Sequence, residues 1–86
     1  MIIHTHRNFE KKYVKLPKKI KNRFLARRDL FIENPFHSLL DNHALHGKWI
    51  GYRSVNISGD FRAVFKQEGE VVTFVDIDTH HNLYGS

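Results

Sequence analysis

The amino-acid sequence predicts an α+β domain in which two N-terminal helices pack on a small antiparallel β-sheet. Apolar residues first recur at helical spacing, and after residue 50 the spacing becomes that of extended strands. Two clusters of turn-forming residues, at positions 58–60 and 68–70, divide this extended part into three segments. Helices followed by consecutive strands are typical of the α+β class.

The chain opens with a short predicted strand and a first helix. Ile2 and Ile3 can form the strand, and Thr5 or Asn8 can cap the helix, since both side chains can accept a hydrogen bond from its first free amides. The apolar residues that follow are three or four positions apart, which places them on one helical face. That face consists of Phe9, Tyr13, Leu16, Ile20 and Phe24.

Pro17 interrupts this pattern and is predicted to be the first residue of a second helix. Proline is favoured there because it lacks an amide hydrogen where none is needed. The helix is predicted to end near Glu33, because the residue before Pro35 is disfavoured in helical geometry. Its side chains predicted to face the core are Ile20, Phe24, Leu30 and Phe31. Its cationic side chains predicted to face largely outward are Lys21, Arg23, Arg27 and Arg28.

Residues 36–50 form a predicted connection, and three strands come after it. The first strand spans residues 52–57, the second 61–67 and the third 71–77, and the third is rich in β-branched residues. The two turns join these strands into an antiparallel meander that begins with a hairpin. Residues 78–84 are interpreted as a short polar and aromatic tail.

Length and composition limit the kind of site that this chain can build. Eighty-six residues without a repeat or linker are expected to form one domain over residues 1–86. A chain of this size buries only about 60–65% of its unfolded surface, so an active site would be a surface groove. The sequence contains no cysteine and no HExxH motif. Cysteine-based zinc sites and disulfides are therefore excluded, and we expect neither a metal nor a cofactor.

The hydropathy pattern contains no segment that would cross a membrane. Apolar runs are only a few residues long, far below the roughly 18 that a spanning helix needs. The N-terminal residues also lack the apolar stretch of a secretory signal. We therefore expect a cytoplasmic protein with no membrane partner.

Positive charge is concentrated in the first part of the chain. Residues 1–35 contain ten Lys and Arg against three Asp and Glu, whereas residues 36–86 contain four against six. A basic half indicates a polyanion or an acidic protein as partner. A solvated helical face explains the charge equally well, so charge alone leaves both interpretations open.

Three proton-transfer groups are distributed around the predicted sheet. His43 precedes it, Asp60 lies in the first hairpin turn, and His80 follows the third strand. Cleavage of an RNA phosphodiester needs a base to take the 2′-OH proton and an acid to protonate the leaving 5′-oxygen. Histidine suits both roles, because its unperturbed pKa of about 6.5 lies near the working pH. Spacing alone also permits these to be ordinary surface residues.

Cationic and aromatic residues near these groups have the properties of an RNA-binding surface. Cations would stabilise the charge that builds on the phosphorus during attack. Those on the predicted central strands are Arg53, Arg62 and Lys66. Aromatic rings can stack on an unpaired base. The candidates are Trp49, Phe61 and Tyr84.

The second half of the chain resembles the RelE/YafQ superfamily of bacterial toxins. The resemblance rests on residues 43–60, HALHGKWIGYRSVNISGD, together with FRAVFK at 61–66 and FVDIDTHHNLY at 74–84. The superfamily pattern is H-x-L-x-G, then G-Y-R, a turn aspartate, a strand with a lysine, and T-H-x-x-L-[FY]. The resemblance implies a RelE-like α+β fold and cleavage of messenger RNA at the ribosome without metal.

The resemblance also implies roles for individual residues. His43 and His80 match the proton-transfer histidines, and Asp60 matches the turn aspartate. Arg62 falls at a phosphate-binding arginine, and Tyr84 at the aromatic residue near the C-terminus. We assign His80 as general acid and His43 or Asp60 as general base. The residues expected to bind RNA are Arg53, Lys66, Phe61 and Lys48.

Two residues depart from the superfamily pattern. Asn56 stands where YafQ-like members carry another histidine, and an amide cannot transfer a proton as an imidazole does. Asp76 stands where relatives place an arginine on the last strand, which removes a cation from the groove. Both departures bear on the strength of cleavage and on its dependence on the ribosome.

The resemblance implies three partners and leaves two other functions open. The partners are a cognate acidic antitoxin that silences the toxin, messenger RNA and the ribosome. The first alternative is a ParE-like toxin, which has the same fold and inhibits DNA gyrase by binding without catalysis. The second is a module that binds RNA without cutting it. The joint presence of His43, Asp60 and His80 favours the nuclease.

Overall fold

The computed structural model describes residues 1–85 and contains five strands and three α-helices in that range. In chain order these elements are β1 Ile2–Thr5, α1 Arg7–Tyr13, α2 Lys18–Glu33, β2 His43–Ala44, β3 Arg53–Ser58, β4 Phe61–Glu68, β5 Val71–Thr79 and α3 His80–Tyr84. Short 3₁₀ turns at Ser38–Leu40 and Gly47–Trp49 lie in the connections on either side of β2. No helix in the described range is long and apolar enough to span a lipid bilayer.

The strands form one mixed sheet in the order β1-β5-β4-β3-β2. The predicted antiparallel meander is confirmed as β3, β4 and β5. The sheet is not purely antiparallel, however, because β1 pairs in parallel with β5, from Ile2 opposite Val71 to Thr5 opposite Phe74. A parallel pair needs a long crossover, which here consists of both helices and the rest of the meander. Local periodicity carries no information about this pairing.

The main core lies between the two helices and one face of the sheet. Its centre is a group of aromatic rings from both layers, and the Phe74 ring lies 5.3–6.1 Å from four of them. Phe24 and Phe31 of α2 are buried as predicted, and Ile20 and Leu30 pack half-buried against the same cluster. The buried core residues of the strands on this face are Val55, Ile57, Ala63, Phe65, Val72, Phe74 and Ile77.

Helix starts differ from the predictions by one or two residues. The side chain of His6, not of Thr5 or Asn8, caps α1, and its Nδ1 accepts the amide hydrogen of Asn8 at 3.0 Å. Pro17 is the N-cap of α2 with extended backbone angles, so the helix itself begins at Lys18. Both differences preserve the predicted arrangement of apolar faces.

The structure adds one strand and one helix to the predicted elements. The predicted connection contains β2, in which His43 pairs with Ser54 and Ala44 with Arg53. The predicted tail is wrong, because β5 continues to Thr79 and α3 follows it directly. Such short elements have no periodicity of their own and depend on tertiary contacts.

Candidate active site

The candidate site lies on the sheet face opposite α1 and α2, which we name the open face. Side chains alternate along a strand, so Arg62, Val64 and Lys66 of β4 point away from the core that contains Ala63 and Phe65. Residues directly opposite each other in a ladder share a face. The open face therefore also includes His43, Ser54 and Asn56, through the pairs His43–Ser54, Ser54–Val64 and Asn56–Arg62.

Helix α3 packs on the open face and brings three candidate residues together. Its Leu83 is buried against Val64, and the Leu83 carbonyl accepts a hydrogen bond from Trp49 Nε1 at 3.1 Å. The amide of His80 donates to the Asp60 carbonyl at 2.9 Å, which ties α3 to the first hairpin turn. The His80 and Tyr84 rings meet edge to face, with centroids 4.6 Å apart. The His80 and Tyr84 side chains thus form a pair, and Asp60 is joined to His80 through the backbone.

His43 lies on the open face at the β2 edge of the sheet, away from His80. It lies on β2, and strands β3 and β4 separate it from β5, which leads into His80. At about 4.8 Å per strand, the backbones of β2 and β5 are about 14 Å apart. The two histidines are therefore not neighbours. A phosphate on the open face would lie between them.

The candidate cations occupy different positions. Arg62 points onto the open face, and its Nη1 donates to the Gly59 carbonyl at 2.9 Å, next to Asp60. Lys66 is exposed on the same face, with Nζ 5.7 Å from the centre of the Tyr52 ring. Lys48 is exposed in the 3₁₀ turn before β3.

The structure does not bring Arg53 and Phe61 to the open face. Arg53 lies opposite Phe65 in the ladder, donates to Asn42 Oδ1 at 2.8 Å, and sits 5.5 Å from the centre of the Phe36 ring. Phe61 packs half-buried against the core on the helix side. Both therefore belong to the face that carries the helices.

Two buried polar atoms on the open face have no hydrogen-bond partner within the described residues. They are Oδ1 of Asn56 and the hydroxyl of Tyr84. Buried polar atoms are nearly always paired, so these two are exceptions within the described residues. Asn56 thus stands at the centre of the open face with an unused acceptor.

Asp76 and Asp78 are paired with a cation from the helix layer. Lys12 of α1 reaches the rim of the sheet, where its Nζ lies 2.7 Å from Asp76 Oδ1 and 3.2 Å from Asp78 Oδ2. Burial opposes the charge of Lys12. The hydrogen bonds that Lys12 donates to Asp76 and Asp78, together with the charges of both carboxylates, outweigh burial and raise the pKa of Lys12. One lysine of α1 thus pairs with two carboxylates of β5.

The same cluster anchors the start of α3. Burial alone would raise the pKa of Asp78, but hydrogen bonds from the Asn82 side chain, the Thr79 amide and Lys12 outweigh it and lower that pKa. The Asn82 Nδ2 and Thr79 amide both donate to Asp78 Oδ1, at 2.9 and 2.8 Å. The ionised form of Asp78 therefore helps to fix the helix that carries His80.

We expect Lys12→Met to destabilise the fold by about 1–2 kcal/mol near neutral pH, since it leaves two partly buried carboxylates without their cation. The lowered pKa of Asp78 gives stability that is present above its unfolded pKa and lost as pH falls through the folded value. The raised pKa of Lys12 gives stability that is present below its unfolded pKa and lost as pH rises through the folded value. The difference in the free energy of unfolding between wild type and Lys12→Met should therefore shrink below about pH 4 and above about pH 10.5.

Urea unfolding of both proteins across this pH range measures the effect. Lys11→Met is the matched control, because Lys11 is an exposed lysine on the same helix. It should change the free energy of unfolding by less than about 0.5 kcal/mol. Equal losses in the two variants would contradict the role of the Lys12 cluster.

Several structural residues of the site carried no recognisable sequence signal. Ser54 supports His43, Trp49 holds α3 by its indole nitrogen, and Lys12 serves the aspartates from a distant element. Thr79 did carry a signal, because it is an N-cap residue whose Oγ1 accepts the amide hydrogen of Asn82 at 3.3 Å. Within residues 1–85, no three His, Asp or Glu side chains cluster as a metal site requires.

Comparison with known proteins relates the whole described chain to one protein family. Residues 1–85 match the family model described as bacterial toxin of type II toxin-antitoxin system, YafQ. The crystal structure of YafQ from E. coli strain BL21(DE3) is 27% identical, with a TM-score of 0.79 over 96% of this chain and 97% of that one. A search of curated protein sequences gave no match.

Two structures of complexes also match. YafQ in the E. coli DinJ–YafQ toxin-antitoxin complex is 27% identical, with a TM-score of 0.75 over 96% of each chain. The archaeal RelE–RelB complex from Pyrococcus horikoshii OT3 matches at 23% identity, with a TM-score of 0.71 over 91% of this chain and 92% of that one. At that identity the archaeal match shows the shared fold alone.

Proposed function

The chain belongs to the YafQ family of toxins from type II toxin-antitoxin systems, and on this premise we propose that it is an endoribonuclease that cleaves messenger RNA at the ribosome without metal. One observation carries the proposal. Helix α3 places His80 against Asp60 and Tyr84 at one side of the open face, while His43 faces them from the other. A phosphate bound between them would meet a proton donor and a proton acceptor.

The reaction is an attack of the RNA on its own phosphate. A base removes the proton of the 2′-OH, the 2′-oxygen bonds to phosphorus, and the bond to the 5′-oxygen breaks as an acid protonates it. His80 is the proposed acid, and His43 or Asp60 the base. The products are a 2′,3′-cyclic phosphate and a free 5′-OH.

Charged and aromatic groups on the open face complete the proposed site. The Arg62 guanidinium uses only part of its five N–H donors on backbone carbonyls, so others can bind a phosphate oxygen. Lys66 and Lys48 extend the positive charge along the path of the RNA. Tyr84, half-buried beside His80, holds the His80 ring by an edge-to-face contact.

The proposed protein partner is an acidic antitoxin in the bacterial cytoplasm. E. coli YafQ has been solved with DinJ, and the archaeal RelE with RelB. On this chain, the ten basic residues within positions 1–35 supply matching charge. A shallow groove of about 300 Å³ beside β1, lined by Ile3, Phe24, Arg28 and Ile32, would accept the apolar side of an amphipathic segment.

The proposal is tested by adding purified protein to a translating extract and mapping new RNA ends. We expect cuts in phase with codons, each leaving a 2′,3′-cyclic phosphate and a 5′-OH. Intact RNA together with inhibited DNA supercoiling would contradict the nuclease and identify a ParE-like gyrase inhibitor. Intact RNA that is nevertheless retained by the protein would identify a module that only binds RNA.

A further inference from the structure

Both ring nitrogens of His43 have a polar neighbour. Nδ1 lies 2.7 Å from the backbone carbonyl oxygen of Asp41, and Nε2 lies 3.5 Å from the Oγ of Ser54. A carbonyl oxygen can only accept a hydrogen bond, so Nδ1 must be the nitrogen that carries the hydrogen. Nε2 of the neutral ring then holds the free lone pair and faces the Ser54 hydroxyl.

The backbone of Asp41 is built to present its carbonyl. Asp41 follows the 3₁₀ turn Ser38–Leu40 in the left-handed region, with φ 45° and ψ 49°. Among residues 1–85 it is the only residue other than glycine with a positive φ. Aspartate tolerates this conformation better than most residues, whereas β-branched residues do not. In this conformation the Asp41 carbonyl contacts the imidazole of His43, two residues further along the chain.

Ser54 supports the ring from inside the protein. It is fully buried and lies directly opposite His43 in the ladder of β2 and β3. The His43 side chain remains 49% exposed, so a ligand can reach the ring. At 3.5 Å the Ser54 contact is longer than a strong hydrogen bond, so it orients the lone pair of Nε2 without occupying it fully.

We propose that Asp41 and Ser54 are positioning residues that hold His43 in the tautomer protonated on Nδ1, which makes Nε2 the base of the reaction. The inference rests on the proposed nuclease function and decides between His43 and Asp60 as the base. The 2′-OH proton moves to Nε2, the 2′-oxygen bonds to phosphorus, and the 5′-oxygen leaves with the proton of His80. The Ser54 hydroxyl then rotates from donor to acceptor.

A carboxylate also lies close to the ring of His43. The Asp41 carboxylate Oδ2 lies 3.7 Å from Nδ1 and would pair with the imidazolium. Arg53 of β3 pairs opposite Ala44, the residue after His43, but its side chain is turned to the other face and is held by Asn42. The ring therefore has a carboxylate beside Nδ1 and a hydroxyl beside Nε2.

Nitrogen NMR of the full chain with ¹⁵N-labelled histidine tests the assignment directly. In the neutral ring of His43, we expect a protonated, pyrrole-type Nδ1 and a pyridine-type Nε2. This is the reverse of the form that free histidine prefers. A wild-type spectrum with the hydrogen on Nε2, or with both forms averaged, would overturn the inference. The wild-type spectrum decides the matter even where a variant fails to fold.

Two substitutions of Asp41 separate the carbonyl from the carboxylate. Asp41→Gly keeps the left-handed backbone and its carbonyl, so the tautomer should persist and cleavage should fall by no more than about threefold. Asp41→Val disfavours that backbone, so the tautomers should mix and kcat should fall by about ten- to a hundredfold. An unchanged tautomer in a folded Asp41→Val protein would refute the role of the carbonyl.

The NMR result and the cleavage result can fail separately. If the expected tautomer is present but no protein cuts RNA, the nuclease proposal fails and the tautomer assignment stands. Ser54→Ala provides an independent check, because it removes the hydroxyl but leaves the Asp41 contact intact. We expect it to keep the Nδ1 hydrogen and to lower kcat severalfold with KM unchanged. A change in KM alone would contradict a positioning role.

Discussion

Replacing His80 by alanine should lower RNA cleavage by about 10²–10⁴-fold, the usual contribution of a positioned proton donor. His80 is exposed at the first position of α3, and its ring packs only against the edge of Tyr84. The loss should therefore appear in kcat, while the free energy of unfolding changes by less than about 0.5 kcal/mol. Single-turnover cleavage on ribosomes loaded with a defined message measures the rate.

His81→Ala is the matched control for this variant. His81 is the next residue of the same helix and is equally exposed, but it lacks the contacts that His80 makes with the Asp60 turn and Tyr84. It should keep the wild-type rate within about twofold, since an exposed residue outside the site contributes little. A full rate in His80→Ala, or equal losses in both variants, would remove His80 from the chemistry.

The largest effect on stability is expected from Phe74→Ala. Phe74 is fully buried on β5, and its ring touches rings from α1, α2 and β4. Truncating a buried phenylalanine leaves a cavity and usually costs about 3–5 kcal/mol. Domains are commonly stable by only about 5–15 kcal/mol, so a large part of the total would be lost. Urea unfolding followed by circular dichroism measures the difference.

Phe36→Ala is the matched control, because it makes the same substitution at an exposed position. The Phe36 side chain is 70% exposed and lies over the Arg53 guanidinium. Its removal should alter the free energy of unfolding by no more than about 1 kcal/mol, because little apolar surface returns to water. If the two variants lost equal stability, the assignment of the core around Phe74 would be wrong.

The sequence was most informative where local periodicity decides structure. Both helices and all three meander strands lie where the apolar spacing predicted them, and most ends are shifted by one or two residues. The exception is α1, which ends at Tyr13 and leaves Leu16 of the predicted stripe outside the helix. Pairing between distant segments leaves no such trace, so the parallel neighbour of β5 was not predictable. Helix α3 is too short for a periodic pattern and owes its position to Leu83, which is buried against the open face.

The candidate site was predictable in its residue types and less so in its geometry. Strand alternation could have separated Arg62 and Lys66 from Arg53, but only with the register of β3 against β4, which the residues alone do not specify. The residues that support the site were not predictable for the same reason. Ser54 is meaningful only because the two-residue strand β2 places His43 opposite it.

The partnership between β1 and β5 has a consequence for the order of events during synthesis. Ile2 pairs with Val71, so the first strand waits for a partner made 69 residues later. At about 5–20 residues per second, that wait lasts about 3–14 s on the translating ribosome. His80 emerges later still, after the strand that completes the sheet. The helix that carries the proposed acid is therefore made only after every strand of the sheet has been synthesised.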